Sequence, residues 1–234
     1  RISRRLRETQ HRSFASYLQW LEQASGPDAD REWQEFVNSL TTNLTSFFRE
    51  EHHFPLLAEA LKERAGRQVR IWCNAATTGE EPYSLAMTVI ESLGANPSAR
   101  IMASDIDTNV LATAQRGVYD AGARGLSPER LKRHFLRGTG ANSGMIRVKP
   151  ELTRLIEFRP FNLMSTTWQL GDAFDIVFCR NVMIYFDAET QRRVLERMHR
   201  VMKPDGLLFV GHSENFTDSK DLFSLRGKTV YARV

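Results

Sequence analysis

The chain has 234 residues, a formal charge of +4, a pI of about 9.3 and 41% apolar residues. That length suits one sizeable α/β domain with a small appendage, and it buries enough surface to need no covalent staple. Cys73 and Cys179 lie far apart inside apolar runs, which argues against a disulfide framework or a CxxC metal site; no apolar run approaches the ~18 residues of a membrane span and no signal-peptide pattern opens the chain, so a cytoplasmic location is expected.

Five arginines against one glutamate fall in the first twelve residues. At about 100° per residue, Arg1, Arg4, Arg5 and Arg12 share one helical face and Ile2 and Leu6 another. Such a stripe fits an acidic partner or an ordinary solvated face. Phe14, Tyr17, Leu18 and Leu21 follow helical spacing, as do Trp33, Phe36, Val37 and Leu40, with the turn ASGPDAD between them. From Val69 the pattern changes to short apolar runs alternating with amphipathic stretches. Strands are expected over 69–74, 100–104, 155–158, 174–179, 205–211 and 228–233, and helices over 80–93, 107–116 and 187–202. That alternation predicts a parallel sheet covered on both faces, ending in an antiparallel hairpin because GLLFVGHS and KTVYARV follow each other closely. Between Gly117 and the strand at 155, SPERLKRHF reads as a short helix. Gly138, Gly140 and Gly144 then punctuate two β-like runs, the signature of a hairpin excursion.

The stretch IWCNAATTGEEPYSLAM (71–87) reads as strand, turn and helix start, where α/β proteins hold phosphates. It has one glycine, Gly79, and neither the dinucleotide fingerprint nor a Walker GK[ST]. Glu80 and Glu81 suit a helix N-terminus and would repel a phosphate, so the loop points to a cationic or neutral ligand, or to simple N-terminal helix charges. The next strand ends in Asp105, placed to grip a ribose diol, while Asp107 is placed to cap the following helix. A nucleoside without phosphates fits both features, and S-adenosyl-L-methionine is one.

The strings NLTSFFRE, TTGEEPYS, ASDID, PFNL, FDIVFCRNVMIYFD, KPDGLLFVGHSENF and RGKTVYA, in this order, resemble the chemotaxis receptor methyltransferases, the CheR family. The resemblance spans nearly the whole chain, and Asn74 is the substitution that departs most from the family's small-residue run. It implies a class I, Rossmann-like methyltransferase: an α/β fold with a seven-stranded mixed sheet and helices on both faces, a small N-terminal helical domain and a β-hairpin subdomain insertion. Residues 1–40 would form the helical domain and 41–234 the methyltransferase domain, with the insertion at about 118–153. The implied reaction carries a methyl group from S-adenosyl-L-methionine, leaving S-adenosyl-L-homocysteine, to glutamates on the cytoplasmic helical bundle of chemoreceptors. By the same resemblance Asn43, Thr45, Arg49, Glu80, Asp105, Asn162, Leu163, Arg180 and Asn181 line the cofactor site. The hairpin at Gly138 and Gly140 would capture a receptor C-terminal peptide by strand addition, or be a plain surface hairpin.

A glutamate acceptor is already ionised at neutral pH, its reference pKa being about 4.3, so no general base is needed. Arg49 is the candidate for holding a carboxylate, the substrate's or the cofactor's, and Tyr185 for steering an oxygen or merely packing beside Phe186. Arg4, Arg5 and Arg12 are the candidate receptor contacts. A metal is not expected, since adjacent His52 and His53 diverge by about 100° on a helix. GHSEN lacks the second glycine of a hydrolase elbow, and RNVMIY lacks the prolines of a base-flipping NPPY strand end. No nucleic-acid partner and no membrane insertion are expected, and a monomer is; the alternative reading, which the basic pI of about 9.3 encourages, is an S-adenosylmethionine-dependent methyltransferase acting on another protein or on nucleic acid.

Overall fold

The computed structural model describes residues 2–234. Three helices lead: α1 (Ile2–Glu8), α2 (Phe14–Gln23) and α3 (Pro27–Leu40). Ser13 caps α2 by accepting from the Ser16 amide at 3.1 Å, and Pro27 opens α3, where no amide partner is required. Tyr17 donates to Glu32 at 2.6 Å and Arg5 donates to the same carboxylate at 3.0 Å, which ties the three helices together.

One expectation changes here. α1 stops at Glu8, with Gln10 in the left-handed region at φ 59°, so Arg12 lies in the turn before α2 and not on the face that carries Arg4 and Arg5. The His11 amide reaching the Leu6 carbonyl at 2.9 Å closes the helix end. Arg1 lies outside the described residues.

After α4 (His53–Glu63) come β1 (Val69–Cys73), α5 (Glu80–Leu93), β2 (Ala99–Asp105) and α6 (Thr108–Arg116). An excursion follows with β3 (Val118–Asp120), α7 (Pro128–His134), β4 (Phe135–Arg137), β5 (Met145–Val148) and the single turn α8 (Pro150–Thr153). The chain returns through β6 (Ile156–Pro160), β7 (Phe174–Cys179), α9 (Ala188–Val201), β8 (Met202–Val210), β9 (Phe223–Gly227) and β10 (Val230–Arg233).

The main sheet has seven strands in the order β6-β2-β1-β7-β8-β10-β9. β6, β2, β1, β7 and β8 run parallel, and β10 is antiparallel to β8 and β9. FSLRG, which none of the expected strands covers, is the edge strand β9; three of its five residues are exposed, so burial gives it no period-2 signature. The excursion is likewise more than a hairpin, because β3 joins β5 and β4 in a second sheet of order β3-β5-β4.

Each central strand is buried on both faces, which is why its sequence is almost uninterruptedly apolar. On β7, Ile176 and Phe178 join Phe54, Leu57, Tyr83 and Phe209 on the α4/α5 side, while Val177 and Cys179 join Trp72, Leu195 and Met198 on the α9 side. Phe178 and Phe209 stack at 4.4 Å between centroids, a contact worth about 0.5–1.5 kcal/mol beyond the area it buries. The reversal of strand order between β1 and β7 opens a crevice at the carboxyl edge, the place where open α/β sheets bind ligands.

Candidate active site at the carboxyl edge of the sheet

The crevice is floored by the loop after β1. The Ala76 amide donates to the Ser104 carbonyl at 2.9 Å and the Thr77 amide to the Asp105 carboxylate at 2.9 Å, with Thr77 itself left-handed at φ 49°. Gly79 caps α5 at φ 100°, and a Cβ there would lie 2.5 Å from the Tyr119 hydroxyl and 2.9 Å from Ala114 Cβ. The lone glycine of the motif thus answers to packing against β3 and α6 and to a left-handed turn, without any phosphate. Tyr119 donates to the Thr78 carbonyl at 2.8 Å, so the excursion props this loop from outside.

Asp105 accepts from the amides of Thr77 and of Asp107, the latter at 3.0 Å. Burial raises its pKa, and these two amides work against the rise. Asp107 caps α6 through the Asn109 and Val110 amides and, with its other oxygen, accepts from Thr41 at 2.5 Å and Asn43 at 2.9 Å. Asn38 pairs reciprocally with Thr108 at 3.1 and 3.2 Å. Segment 41–43 is thereby pinned beside Asp105.

The next stretch carries Thr45, half-buried, and Arg49. Phe48 and Glu50, on either side of Arg49, are both left-handed, with φ of 49° and 53°. Two non-glycine residues in that region cost on the order of 1–3 kcal/mol each, and the surroundings hold them there. Phe48 donates its amide to Ser84 at 3.0 Å, its ring lies 3.8 Å from the Arg130 guanidinium, and Gly125 lies so close to the Phe47 carbonyl that a Cβ there would clash at 1.8 Å. One Arg49 donor goes to the Leu44 carbonyl at 2.8 Å.

Arg180 is turned inward. Its Nε lies 3.0 Å from the Glu81 carboxylate, Nη1 donates to His53 Nδ1 at 3.1 Å and Nη2 to the Arg49 carbonyl at 2.7 Å. Glu81 also accepts from the Cys73 thiol at 3.2 Å; burial raises its pKa and Arg180 opposes that rise. The two acidic residues of the loop motif therefore part company. Glu81 balances a buried arginine, whereas Glu80 is half-buried at the helix start and accepts from Thr78 at 2.6 Å.

Asn181 adopts φ 58° at the end of β7, and its amide group donates to Glu50 at 3.3 Å. Tyr185 is 62% exposed on a 3-10 turn, Met183–Tyr185, while Phe186 packs into the α9-side cluster. After β6, Asn162 is exposed and accepts from the Met164 amide at 2.8 Å, and Leu163 is buried on the α9 side. Gly138 and Gly140 sit in the turn after β4. There a Cβ on Gly138 would meet the Asn142 carbonyl at 2.0 Å, and Gly140 has φ 57°.

Asn74, the residue after β1, is buried, with its side-chain amide beside the Cys179 thiol. The carboxyl group of Asp105 and the acidic Glu80 together fit a polar, cationic nucleoside and oppose a diphosphate. The buried pairing roles of His53, Glu81 and Glu214 are not legible in the sequence because their partners lie 127, 99 and 31 to 33 positions away. Glu50, His52 and His53 bring ligand-type atoms within 4.8 Å of one another, closer than helical divergence of the two histidines predicts, since Glu50 sits in the turn ahead of them. Both His53 nitrogens are engaged, by Arg180 and by Thr229 at 2.8 Å, and the Arg180 cation disfavours a second one.

A seven-stranded sheet with its last strand antiparallel and an acidic, phosphate-averse crevice defines a class I methyltransferase that uses S-adenosylmethionine. The chain belongs to the CheR methyltransferase family. The family's S-adenosylmethionine-binding domain matches residues 43–232 and its all-alpha domain residues 1–41. The chain is 51% identical to the chemotaxis protein methyltransferase of Escherichia coli, covering 99% of this chain and 80% of that protein. It is 50% identical to that of Salmonella typhimurium, with 99% and 80% coverage, and 52% identical to chemotaxis protein methyltransferase 2 of Pseudomonas aeruginosa, with 99% and 82% coverage.

Proposed function

We propose that this protein methylates glutamate side chains in the cytoplasmic helical bundle of chemoreceptors, giving methyl esters. What supports the reading is that the elements at the sheet's carboxyl edge carry the carboxylates Asp105 and Glu80 and that the Arg49 backbone is tied to Arg180 beyond β7, which leads us to assign all three side chains to one site. The first two suit the cationic donor and the third a carboxylate. Bound S-adenosylmethionine supplies a methyl carbon on a positively charged sulfur. An acceptor oxygen that is already anionic takes the methyl while sulfur keeps the electron pair of the broken bond, so no proton has to move. What the chain contributes is alignment and exclusion of water, which in well-oriented cases lowers a barrier by roughly 7–11 kcal/mol. In this reading Arg49 orients the acceptor carboxylate and Tyr185 its second oxygen, while Asn43, Thr45, Asn162, Leu163 and the backbone of Arg180 and Asn181 line the cofactor.

Residues 1–40 present the receptor-facing surface and residues 41–234 carry out the transfer. A groove of about 600 Å³, lined by Arg4, Arg5, Glu35, Asn38, Asn43 and Leu44, leads from α1 toward Asn43, and its exposed Arg4 suits an acidic helix. The outer edge of β4, unpaired among the described residues, suits addition of a receptor tail strand. The test incubates the protein with methyl-labelled S-adenosylmethionine and receptor-containing membranes, then adds alkali. Release of labelled methanol is expected. Alkali-stable label would mean nitrogen methylation, and no label at all a cofactor-binding sensor, and either result defeats the reading.

A further inference from the structure

Glu214 lies in the loop after β8 and is 5% exposed. Its carboxylate accepts four backbone N–H bonds. Oε2 takes the amides of Gly211 at 2.6 Å and Asn181 at 3.0 Å, and Oε1 takes those of Val182 at 3.0 Å and Met183 at 2.8 Å. Consecutive amides pointing into one concavity form an anion-binding nest, usually filled by a phosphate or other ligand. Here the protein fills it with its own side chain.

The nest belongs to the turn that carries the rim. Asn181 is left-handed, a conformation asparagine tolerates but does not prefer, so something must hold it. Gly211 comes close enough that a Cβ there would stand 2.9 Å from the Asn181 side chain and 3.0 Å from both the Asn181 amide and Glu214, which leaves no room for another residue. From the opposite side Glu50, beside Arg49, accepts from the Asn181 side chain, and His212 reaches the same Glu50 oxygen at 3.2 Å. Two carboxylates from different loops thus grip one residue. Glu214 holds its backbone and Glu50 its side chain, and the turn they fix ends in exposed Tyr185.

We infer that Glu214 is a positioning residue for methyl transfer: its carboxylate presets the 180–185 turn, so that Asn181 and Tyr185 stand at the crevice before cofactor and acceptor arrive. The alternative is a carboxylate that only stabilises the fold. An isosteric Glu214→Gln substitution separates the two, because the amide offers one acceptor oxygen and turns N–H donors toward N–H donors. Hydrogen exchange should rise in segments 180–186 and 208–214 and stay unchanged elsewhere. The melting temperature should stay within a few degrees of the parent and kcat should fall about 10- to 100-fold, as expected for misplacement on the ångström scale. Glu214→Asp, which keeps the charge with a shorter reach, should fall between parent and Gln variant in both readouts. Unchanged exchange in the two segments would overturn the inference, as would exchange that rises throughout the chain together with a collapse in melting temperature. The kinetic arm rests on the methyltransferase reading above; the exchange arm does not, so failure of one is distinguishable from failure of the other.

Discussion

The guanidinium of Arg180 donates to the backbone carbonyl of Arg49 at 2.7 Å, so a buried cation fixes the chain from which a rim cation extends. The same guanidinium neutralises Glu81 and donates to neutral His53, which makes it the hub of a buried chain that runs from Cys73 to Thr229. Buried pairs of this kind contribute little net stability, yet they are costly to break from one side.

Arg180→Ala should therefore lower stability by about 3–5 kcal/mol, because Glu81 is left charged and unpaired in the interior. Urea denaturation measures this. Adding Glu81→Gln in the same chain should recover part of the loss, and a single-variant loss below about 1 kcal/mol would contradict the hub.

Asp105 accepts from the amides of Thr77 and Asp107, and the proposed reading gives it to the cofactor. Asp105→Ala should weaken binding of S-adenosylhomocysteine at least tenfold, which corresponds to about 1.4 kcal/mol, in calorimetry. Unchanged affinity would remove Asp105 from the site.

Two neighbouring arginines should behave differently. The Arg4 side chain is 77% exposed and pairs with Glu8 at 2.8 Å, whereas that of Arg5 is 13% exposed and is held by Glu32 and Glu8. Arg4→Ala should leave the unfolding midpoint unchanged and raise KM for receptor membranes, with the difference shrinking as salt is added. Arg5→Ala should cost about 1–3 kcal/mol of stability, since it removes charge-assisted bonds from buried Glu32.

His53 supplies an acid limb. Burial, then the charge of Arg180, lower its pKa from 6.5 to about 3. The folded value lies below the unfolded one, so the unfolded chain takes up the proton first. The contribution is whole above about pH 6.5 and is lost as pH falls toward 3, with a slope of up to ~1.4 kcal/mol per pH unit. Denaturation midpoints measured between pH 7.5 and 5 should fall in the parent. His53→Gln should flatten that part of the curve, and an equal slope in both proteins would exclude His53 as its source.

The carboxyl ends of β1, β2 and β7 were placed from local pattern alone, because strands buried on both faces leave apolar runs that punctuation brackets cleanly. FSLRG is not legible as a strand because it is an exposed edge, nor is β3, because three residues carry no period. Arg12 was put on the α1 face because periodicity does not see the left-handed Gln10 that ends the helix.

Read by itself, the chain determined the alternating α/β order, the phosphate-averse loop and the acidic end of β2, all of which depend on residue types at short separations. Which carboxylate does what was decided only by the tertiary structure. Glu80 and Glu81 are adjacent in sequence, yet one lies at the rim and the other is neutralised in the interior by Arg180, 99 positions away, and Glu214 fills a nest built by amides about thirty positions upstream. A charge takes its role from the partner that offsets its desolvation, and folding alone brings that partner within reach.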